Sequence, residues 1–290
     1  MKVCFCTILG RPNVGKSSLL NSILSYNLSI VTPTPQTTRD QITGVYNEEG
    51  YQIIFTDTPG IHKPINKLGE ALNKNAYDTV KNNDLALFLT PADETIGKGD
   101  ILILDNLKHI KNKVAVITKV DKIKGKPELI EQKLESLKEY GFNKILSTST
   151  QNSKSIDFLI STLKEFTYED NAYYDQDYLT DKPMRFLAKE IIRESAINSL
   201  YDELPHSIAV EIDEFIEQDE FMEIKATIFV KKDSQKGMVV GVGGKKIKEI
   251  GTSSRLKISH QFGCRVILNL NVKVAKKWVD DEKIIKKFGY

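Results

Sequence analysis

The stretch at residues 10–17, Gly-Arg-Pro-Asn-Val-Gly-Lys-Ser, constrains the fold of this chain more than any other feature of its sequence. An apolar run over 3–9 precedes it and is typical of a buried strand, and residues 18–24 after it have helical spacing. Glycines between a strand and a helix let several backbone N–H groups converge on one point, where the helix N-terminus adds positive potential. In this pattern the lysine supplies charge to the outer phosphates and the serine hydroxyl binds Mg²⁺. The stretch therefore predicts a nucleoside triphosphate site made of Gly10, Arg11, Pro12, Asn13, Val14, Gly15, Lys16 and Ser17.

Over residues 1–165, short apolar runs alternate with longer amphipathic ones. Strands are predicted at 3–9, 41–46, 51–57, 85–90, 114–118 and 144–147, and helices at 16–25, 66–80, 98–107 and 129–140. This alternation predicts an α/β domain of the P-loop class, with a mixed, mostly parallel sheet and helices on both faces. One antiparallel hairpin is expected to turn at 47–50.

The composition changes near Phe166, and we expect a second domain beyond that point. Residues 168–182 are acidic, rich in tyrosine and without periodicity. They could clamp a partner, but we favour a solvated linker between a nucleotide-binding domain at 1–167 and a second domain at 183–290. In the second domain a helix from 182 to 200 precedes strands at 206–217 and 221–230, a glycine loop, a helix and a strand near 264–272. The predicted order is αββααβ, an α+β fold, and a last helix is expected over 275–288.

The net charge of +2 is unevenly distributed. Residues 230–290 contain 15 Lys or Arg and 5 Asp or Glu, whereas residues 1–229 contain 26 basic and 34 acidic side chains. A basic segment of this kind favours a polyanionic partner for the second domain.

The chain has 3 cysteines, an odd number, and no metal-ligand spacing around them. Cys4 and Cys6 lie two apart on a strand and are interpreted as core residues of a protein in a reducing, cytosolic compartment. Met1 and Lys2 run directly into the first strand, so no signal peptide is expected. No apolar run approaches the roughly 18 residues of a membrane span.

A second phosphate element, Asp57-Thr58-Pro59-Gly60, ends a predicted strand. Its carboxylate is placed to hold Mg²⁺, and the Gly60 amide can approach a γ-phosphate. Thr37 and Thr38 follow an irregular segment at 31–36 that contains prolines, and Thr38 is the better candidate to complete a Mg²⁺ shell only when the γ-phosphate is present. The predicted metal ligands are Ser17, Thr38 and Asp57.

Base selection is predicted at Thr118-Lys119-Val120-Asp121, again at the end of a strand. An aspartate can accept hydrogen bonds from N1–H and the 2-amino group of guanine, and adenine offers no such pair of donors. The lysine stem is expected to lie along the base. Ser147, Thr148 and Ser149 are expected to bring backbone N–H groups to the guanine carbonyl.

The glycine loop of the second domain reads Gly241-Val242-Gly243-Gly244 and opens a helix. Glycines let a nucleic-acid backbone pass close to such a loop, and the helix N-terminus with its lysines attracts phosphate. The predicted contacts are Lys236, Gly241, Val242, Gly243, Gly244, Lys245, Lys246 and Lys248, with Val239 and Val240 available for apolar contact with bases.

Taken in order, these motifs resemble those of the translational and Ras-like GTPases, and most closely the Era family, whose patterns are G-x-P-N-V-G-K-S, T-T-R, D-T-P-G, N-K-x-D and S-A. Residues 10–17, 37–39 and 57–60 match as written, and the resemblance covers essentially the whole chain. It implies binding of GTP and GDP with Mg²⁺, and slow GTP hydrolysis in which Lys16, Thr38 and Gly60 take part. It also implies a type II KH domain that binds 16S ribosomal RNA near its 3′ end, in 30S subunit assembly and rRNA maturation. A cytoplasmic monomer with peripheral association at the inner membrane face completes what the resemblance implies.

The departures from the family pattern lead to further expectations. Thr118 replaces the usual Asn and has no amide to tie the base loop to the phosphate loop, so weaker guanine binding is expected; Ser149 follows Thr148 where Ser-Ala is usual. Ile61, which we include among the nucleotide contacts, stands where Ras-like enzymes carry the water-orienting glutamine, so the intrinsic rate should be on the order of 10⁻⁴ to 10⁻³ s⁻¹. Asn13 matches an asparagine with which cation-dependent relatives hold a monovalent ion, which implies a K⁺ site. His62 and Lys63 are interpreted as exposed loop residues.

A second function class stays open at this point, namely a GTP-gated docking protein for membrane or protein partners in which the KH-like fold is only an adaptor. A tRNA-modifying GTPase is disfavoured because it needs an additional catalytic domain.

Overall fold

The computed structural model describes residues 1–35, 37–201 and 204–290. Gln36, the last residue of the irregular segment predicted over 31–36, lies outside them. Contacts divide the chain into two units: Met1–Ser29, Thr38–Ile65 and Gly69–Asp181 form the first, and Ile30–Thr37, Asn66–Leu68 and Lys182–Tyr290 form the second. Each unit contains its own sheet.

The first unit has a seven-stranded sheet within the described residues. Its strands are β1 (Lys2–Leu9), β2 (Ile42–Glu48), β3 (Tyr51–Asp57), β4 (Leu85–Pro91), β5 (Lys113–Thr118), β6 (Lys144–Ser147) and β7 (Tyr168–Glu169). Its helices are α1 (Lys16–Leu24), α2 (Lys67–Lys81), α3 (Lys98–Asn106), α4 (Glu128–Lys138) and α5 (Ser153–Leu163). The first residues of α2 are grouped by contacts with the second unit.

The strand order β2-β3-β1-β4-β5-β6 places the loops that carry the predicted nucleotide motifs at one edge of the sheet. Strands β3, β1, β4, β5 and β6 are parallel, and β2 pairs antiparallel with β3, as the hairpin prediction required. Every residue of β4 and β5 is buried, which is typical of central strands covered by helices on both faces. The chain adds strands first on one side of β1 and then on the other, and the crevice at such a reversal is where α/β sheets bind ligands.

The segment predicted as a solvated linker is mostly exposed, and hydrogen bonds also hold it along the first unit. Its start forms β7, which pairs antiparallel with β1. Farther on, Val45 N–H donates to the Leu179 carbonyl at 2.8 Å and the Thr180 hydroxyl donates to the Thr43 carbonyl at 2.6 Å. The Oε1 atom of the buried Gln52 side chain accepts the Tyr173 amide at 2.8 Å. These bonds could not be predicted from the sequence, because they use backbone groups and two isolated polar side chains, which leave no periodic pattern.

The second unit has a three-stranded sheet of order β10-β9-β8. Its elements are α6 (Met184–Ser199), α7 (Leu204–Ser207), β8 (Ala209–Glu217), β9 (Phe221–Val230), α8 (Asp233–Val240), α9 (Lys245–Phe262), β10 (Arg265–Val274) and α10 (Glu282–Lys287). Strands β10 and β9 are parallel, whereas β8 and β9 are antiparallel. Leaving aside the short helices α7 and α10, the order is the predicted αββααβ, and one apolar cluster from α6, α9 and the sheet forms the core.

Two predictions for the second unit are wrong. His206 lies in the short helix α7 and not at the start of a strand, since β8 begins at Ala209. The last segment is not one helix: Lys277 has φ of 55°, and Asp281 caps a new helix by accepting the Lys283 amide at 2.9 Å. The aromatic side chains of Trp278 and Phe288 are buried, and the Trp278 indole donates to the Ser207 carbonyl at 2.8 Å.

Across the described ranges, no helix has the length and apolar character needed to cross a membrane.

Candidate nucleotide site and nucleic-acid interface

Other elements hold the phosphate loop, residues 10–17, by its carbonyl groups. The Ile61 amide donates to Gly10 at 3.2 Å, the Thr118 hydroxyl to Val14 at 2.6 Å, and the Lys119 ammonium to Asn13. Once its carbonyls are engaged, a glycine loop at the start of a helix can offer its remaining N–H groups to an anion. Tertiary hydrogen bonds therefore preserve the loop shape that the motif predicts.

Lys16 is buried at the centre of this loop. Its ammonium donates to the carbonyls of Gly10 at 3.1 Å and Arg11 at 2.9 Å. Burial lowers the pKa of Lys16 to about 8, while the charge of Asp57 opposes the shift. A lysine whose charge is poorly solvated gains most from an anion beside it, so this site favours phosphate.

Ser17, Thr38 and Asp57 meet as the sequence predicted. The Ser17 hydroxyl lies 2.7 Å from Asp57 Oδ2 and 2.9 Å from the Thr38 hydroxyl. Asp57 is fully buried, burial raises its pKa although Lys16 opposes the shift, and its Oδ1 has no hydrogen-bond partner among the described residues. Two hydroxyls and a carboxylate with a spare oxygen are hard ligands of the kind Mg²⁺ prefers, so these residues fit the predicted ion.

The second phosphate element lies directly against the first. A Cβ on Gly60 would come within 2.7 Å of the Pro12 nitrogen, so only glycine allows this approach. Thr58 is structural, since its buried hydroxyl donates to the Ile8 carbonyl at 2.8 Å. Ile61 is also structural: its side chain is 0% exposed in the apolar cluster between the sheet and its helices. The inclusion of Ile61 among the nucleotide contacts is therefore corrected to a backbone role.

The structure of the base loop, residues 118–121, contradicts a second expectation. Thr118 was expected to leave the base loop untied from the phosphate loop because it lacks an amide. Its hydroxyl nevertheless donates to the Val14 carbonyl at 2.6 Å, and Lys119 adds the bond to Asn13. The Thr118 hydroxyl makes the link that was expected to be missing, so the lack of an amide no longer gives a reason to expect weaker guanine binding.

Asp121 and Ser149 lie together, whereas the neighbours of Ser149 do not act as predicted. The Ser149 hydroxyl donates to Asp121 Oδ1 at 2.6 Å and orients that carboxylate. The Thr148 amide donates to the Ile117 carbonyl at 2.8 Å and the Ser149 amide to the Ser155 hydroxyl at 3.2 Å, so neither is directed to a base. Ser147 is an exposed end of β6.

Five other residues that the sequence analysis interpreted are placed by the structure as follows. The Arg11 side chain leaves the phosphate loop and pairs with Glu94 and Asp100. Val120 packs against the apolar cluster of the first unit. Asn13 is exposed with φ of 63°, a conformation that asparagine tolerates better than most residues. His62 is half-buried, its Nδ1 lies 3.0 Å from the Gly60 carbonyl, and Lys63 is exposed as expected.

The glycine loop of the second unit separates α8 from α9. Gly241, Gly243 and Gly244 have φ of 73°, 59° and 74°, and the Val242 side chain between them is 89% exposed. Lys236, Lys245 and Lys248 are exposed, and Lys246 pairs with Glu249 at 2.9 Å. Val239 is fully buried in the core, so the apolar group offered to a ligand is Val242 and not Val239.

The sequence prediction missed a groove of about 290 Å³ beside this loop. It lies between α9 and β10 and is lined by Ile247, Lys248, Gly251, Thr252, Arg255, Leu268, Asn269 and Leu270. The α9 residues at 248, 251, 252 and 255 recur at helical spacing, a signal that identifies one face of a basic helix. The β10 side of the groove had no such signal. A basic, partly apolar groove next to a glycine loop can hold a single nucleic-acid strand.

Comparison with known proteins agrees with both sites. Residues 5–122 match the family model described as "50S ribosome-binding GTPase", and residues 203–279 match the KH domain model. The chain is 60% identical to GTPase Era of Mycoplasmopsis agalactiae over 100% of both chains, and 50% identical to GTPase Era of Mycoplasmopsis pulmonis over 99% of both.

Solved structures agree over the same length. A variant of Aquifex aeolicus Era bound to GDP·AlF₄⁻ has a TM-score of 0.95 and 35% identity, and it matches 100% of this chain and 99% of its own. A structure of Era with MgGDPNP and nucleotides 1506–1542 of 16S ribosomal RNA has the same score, identity and coverage. The fold and the two sites define a P-loop nucleotide-binding domain joined to a KH domain. The chain belongs to the Era family of GTPases.

Proposed function

We propose that this chain is a GTP-hydrolysing switch that binds 16S ribosomal RNA through its KH domain. The observation that carries the proposal is the hydrogen bond from Thr118 to Val14, because it joins the base-selecting loop to the phosphate loop in one site. A relative of 60% identity is named as a GTPase, and the related structure with GDPNP also contains 16S RNA.

Guanine selection is tested by Asp121→Asn. Aspartate accepts from both guanine donors, whereas an asparagine amide donates where guanine also donates and fits the 2-oxo group of xanthine. Titration should show that the variant loses GTP and gains XTP, while wild type binds GTP and neither protein binds ATP. Unchanged GTP affinity in Asp121→Asn would contradict the proposed role of this carboxylate.

The nucleotide state is proposed to act through Thr38. Ser17, Asp57 and Thr38 would hold Mg²⁺, which supplies positive charge to the phosphates when bound. Thr38 lies in the loop that precedes β2, so a ligand that draws Thr38 inward orders that loop, and loss of the ligand releases it. Hydrogen exchange around Thr38 should be slower with GDPNP than with GDP, and equal exchange in both states would argue against a switch.

We also propose that K⁺ accelerates hydrolysis through the side chain of Asn13. The Ile61 side chain is buried in the core and is not available to orient water, so a cation held by Asn13 would add to the positive charge that Lys16 and Mg²⁺ bring to the phosphates. Asn13→Gly is a suitable variant because glycine keeps the positive φ while removing the side chain. The wild-type rate should be higher in K⁺ than in Na⁺, and the variant should be slow in both. Equal wild-type rates in the two salts would exclude this role.

RNA binding is proposed at the glycine loop and the α9–β10 groove. The RNA probe is taken from the 16S ribosomal RNA of the organism that encodes this chain. It covers the region that corresponds to nucleotides 1506–1542 in the relative's complex. Anisotropy should show a large loss of affinity for a Gly243→Asp, Gly244→Asp double variant. Gly263→Asp is the control, because Gly263 has a similar φ of 66° at the far end of α9. Equal affinities of the double variant and wild type would support the docking-protein alternative.

In the cell, we propose that the protein acts in the cytoplasm as a monomer, in assembly of the 30S subunit and rRNA maturation, with 1–167 and 183–290 as domains joined through 168–182. Depletion should lower 30S subunits and accumulate 16S precursor, and light scattering should give the mass of one chain. We propose that peripheral membrane association is electrostatic, because Trp278 and Phe288 are buried while Lys283, Lys286 and Lys287 are exposed. Vesicle binding that resists high salt would contradict that mode.

A further inference from the structure

One of the predicted nucleotide contacts, Arg11, belongs to a charged cluster whose other members were not predicted. The Arg11 guanidinium reaches away from the phosphate loop, with Nη2 2.8 Å from Glu94 Oε2 and Nε 2.9 Å from Asp100 Oδ2. Lys133 of α4 is buried beside them and donates to the Thr90 hydroxyl at 3.1 Å and to the Glu94 carbonyl. The cluster thereby joins the phosphate loop to the segment after β4, to α3 and to α4.

Asp100 is the most constrained member of this cluster. Its side chain is 0% exposed, whereas that of Arg11 is 25% exposed and that of Glu94 is 51% exposed. Its Oδ2 accepts the Gly97 amide at 2.9 Å, which fixes the carboxylate at the start of α3. A buried carboxylate is costly without a partner, so the pairing with Arg11 determines where the arginine must lie.

The packing around Arg11 allows little other placement. A Cβ on Gly99 would lie 2.7 Å from Arg11 Cδ, so the arginine stem passes directly over the α3 backbone. The Arg11 carbonyl accepts the Lys16 ammonium at 2.9 Å. The side chain of Arg11 is thus anchored to α3 while its peptide group faces the lysine that is expected to meet the phosphates.

We propose that Asp100 is a positioning residue for phosphate binding: through Arg11 it sets the orientation of the first peptides of the phosphate loop. Asp100 touches no nucleotide in this scheme and acts only through Arg11. The proposal rests on the proposed nucleotide function, since it concerns how that site is held. Its consequence is specific, because loosening this end of the loop weakens contacts to the outer phosphate more than contacts to the base.

The test compares Asp100→Asn with Asp105→Asn, a control on the same helix whose exposed carboxylate pairs with Lys108 at 2.8 Å. Dissociation constants are measured for GDP and for GMP, which has no outer phosphate. Asp100→Asn should raise the constant for GDP by about 10-fold and that for GMP by less than about 2-fold, because the ion pair that holds Arg11 at 2.9 Å is lost at the outer-phosphate end of the loop. Asp105→Asn should change neither.

A purely structural role would raise both constants by the same factor, and that result, or no change in either, overturns the proposal. Failure of wild type to bind GDP would instead refute the proposed function. If Asp100→Asn does not fold, Arg11→Lys gives the same comparison, because lysine keeps the charge but cannot span both carboxylates. It should show the same selective loss of GDP, whereas Glu94→Gln, at the exposed partner, should have little effect.

Discussion

Ile61 tests whether the place of a residue in a sequence motif is enough to assign it a catalytic role. By its place after Gly60, this residue stands where related enzymes carry glutamine, so Ile61→Gln would be expected to speed hydrolysis. In the structure the Ile61 side chain is 0% exposed and packs with Leu9, Phe88 and Ile103. We therefore predict that Ile61→Gln damages the core and leaves hydrolysis no faster.

The magnitude follows from burial. Removing a fully buried isoleucine forfeits about 1.5–3 kcal/mol of apolar transfer free energy, and burying an amide without partners costs about 1–3 kcal/mol more. The expected destabilisation of about 3–5 kcal/mol is a large part of the 5–15 kcal/mol typical of a domain. Ile61→Val, the matched control, should cost only about 1 kcal/mol.

The assay uses urea unfolding followed by two probes. The single tryptophan, Trp278, is in the second unit and reports that unit, whereas far-ultraviolet circular dichroism reports both. Ile61→Gln should lower the transition of the first unit and leave the tryptophan transition in place. Hydrolysis is measured per bound nucleotide without urea and at a low temperature, at which the variant is folded. A variant as stable as wild type with faster hydrolysis would refute the reasoning.

Four further predictions follow from single contacts. Thr118→Val leaves a buried carbonyl unpaired, so GDP affinity should fall by about 10-fold in calorimetry, while Thr118→Ser, which keeps the hydroxyl, should stay near wild type. The lowered pKa of Lys16, about 8 in the folded chain, has two consequences. Between pH 8 and about 10.5 the unfolded chain holds more protons than the folded chain, so the free energy of unfolding should increase as the pH rises. Over the same range GDP affinity should fall, because Lys16 loses its charge and binding must take up a proton. Asn47 donates to three carbonyls of the segment at 175–178, so Asn47→Ala should speed amide exchange there but not in the sheet core. A thiol reagent should label Cys264 alone in the native protein, since burial raises the pKa of both other cysteines.

The motifs that sequence predicted well are local. A phosphate loop, the strand-end carboxylate of Asp57 and a glycine loop before a helix each depend on a few neighbouring residues, and their backbone geometry follows from glycine and from strand or helix ends. The parallel sheet was predictable because β4 and β5 are continuous apolar runs. The helices between them could be predicted for a similar reason, although α5 was missed.

Contacts between distant parts of the chain could not be predicted in this way. Whether Thr118 reaches Val14, 104 positions earlier, depends on the distance between two strand ends and not on residue type alone. The same holds for the segment at 170–180, which offers mainly its own backbone groups to distant partners such as the Asn47 and Gln52 side chains.

By itself, the sequence determined the class of ligand and the order of the two domains, because phosphate and guanine recognition rest on short motifs with particular residue chemistry. The tertiary structure alone decided which residues around those motifs are functional. In the folded chain the Ile61 side chain is buried, the Thr118 hydroxyl links the base loop to the phosphate loop, and the Arg11 side chain pairs with Asp100. The physical reason is that burial and hydrogen-bond partners are properties of packing, and packing brings together residues that lie far apart in the chain.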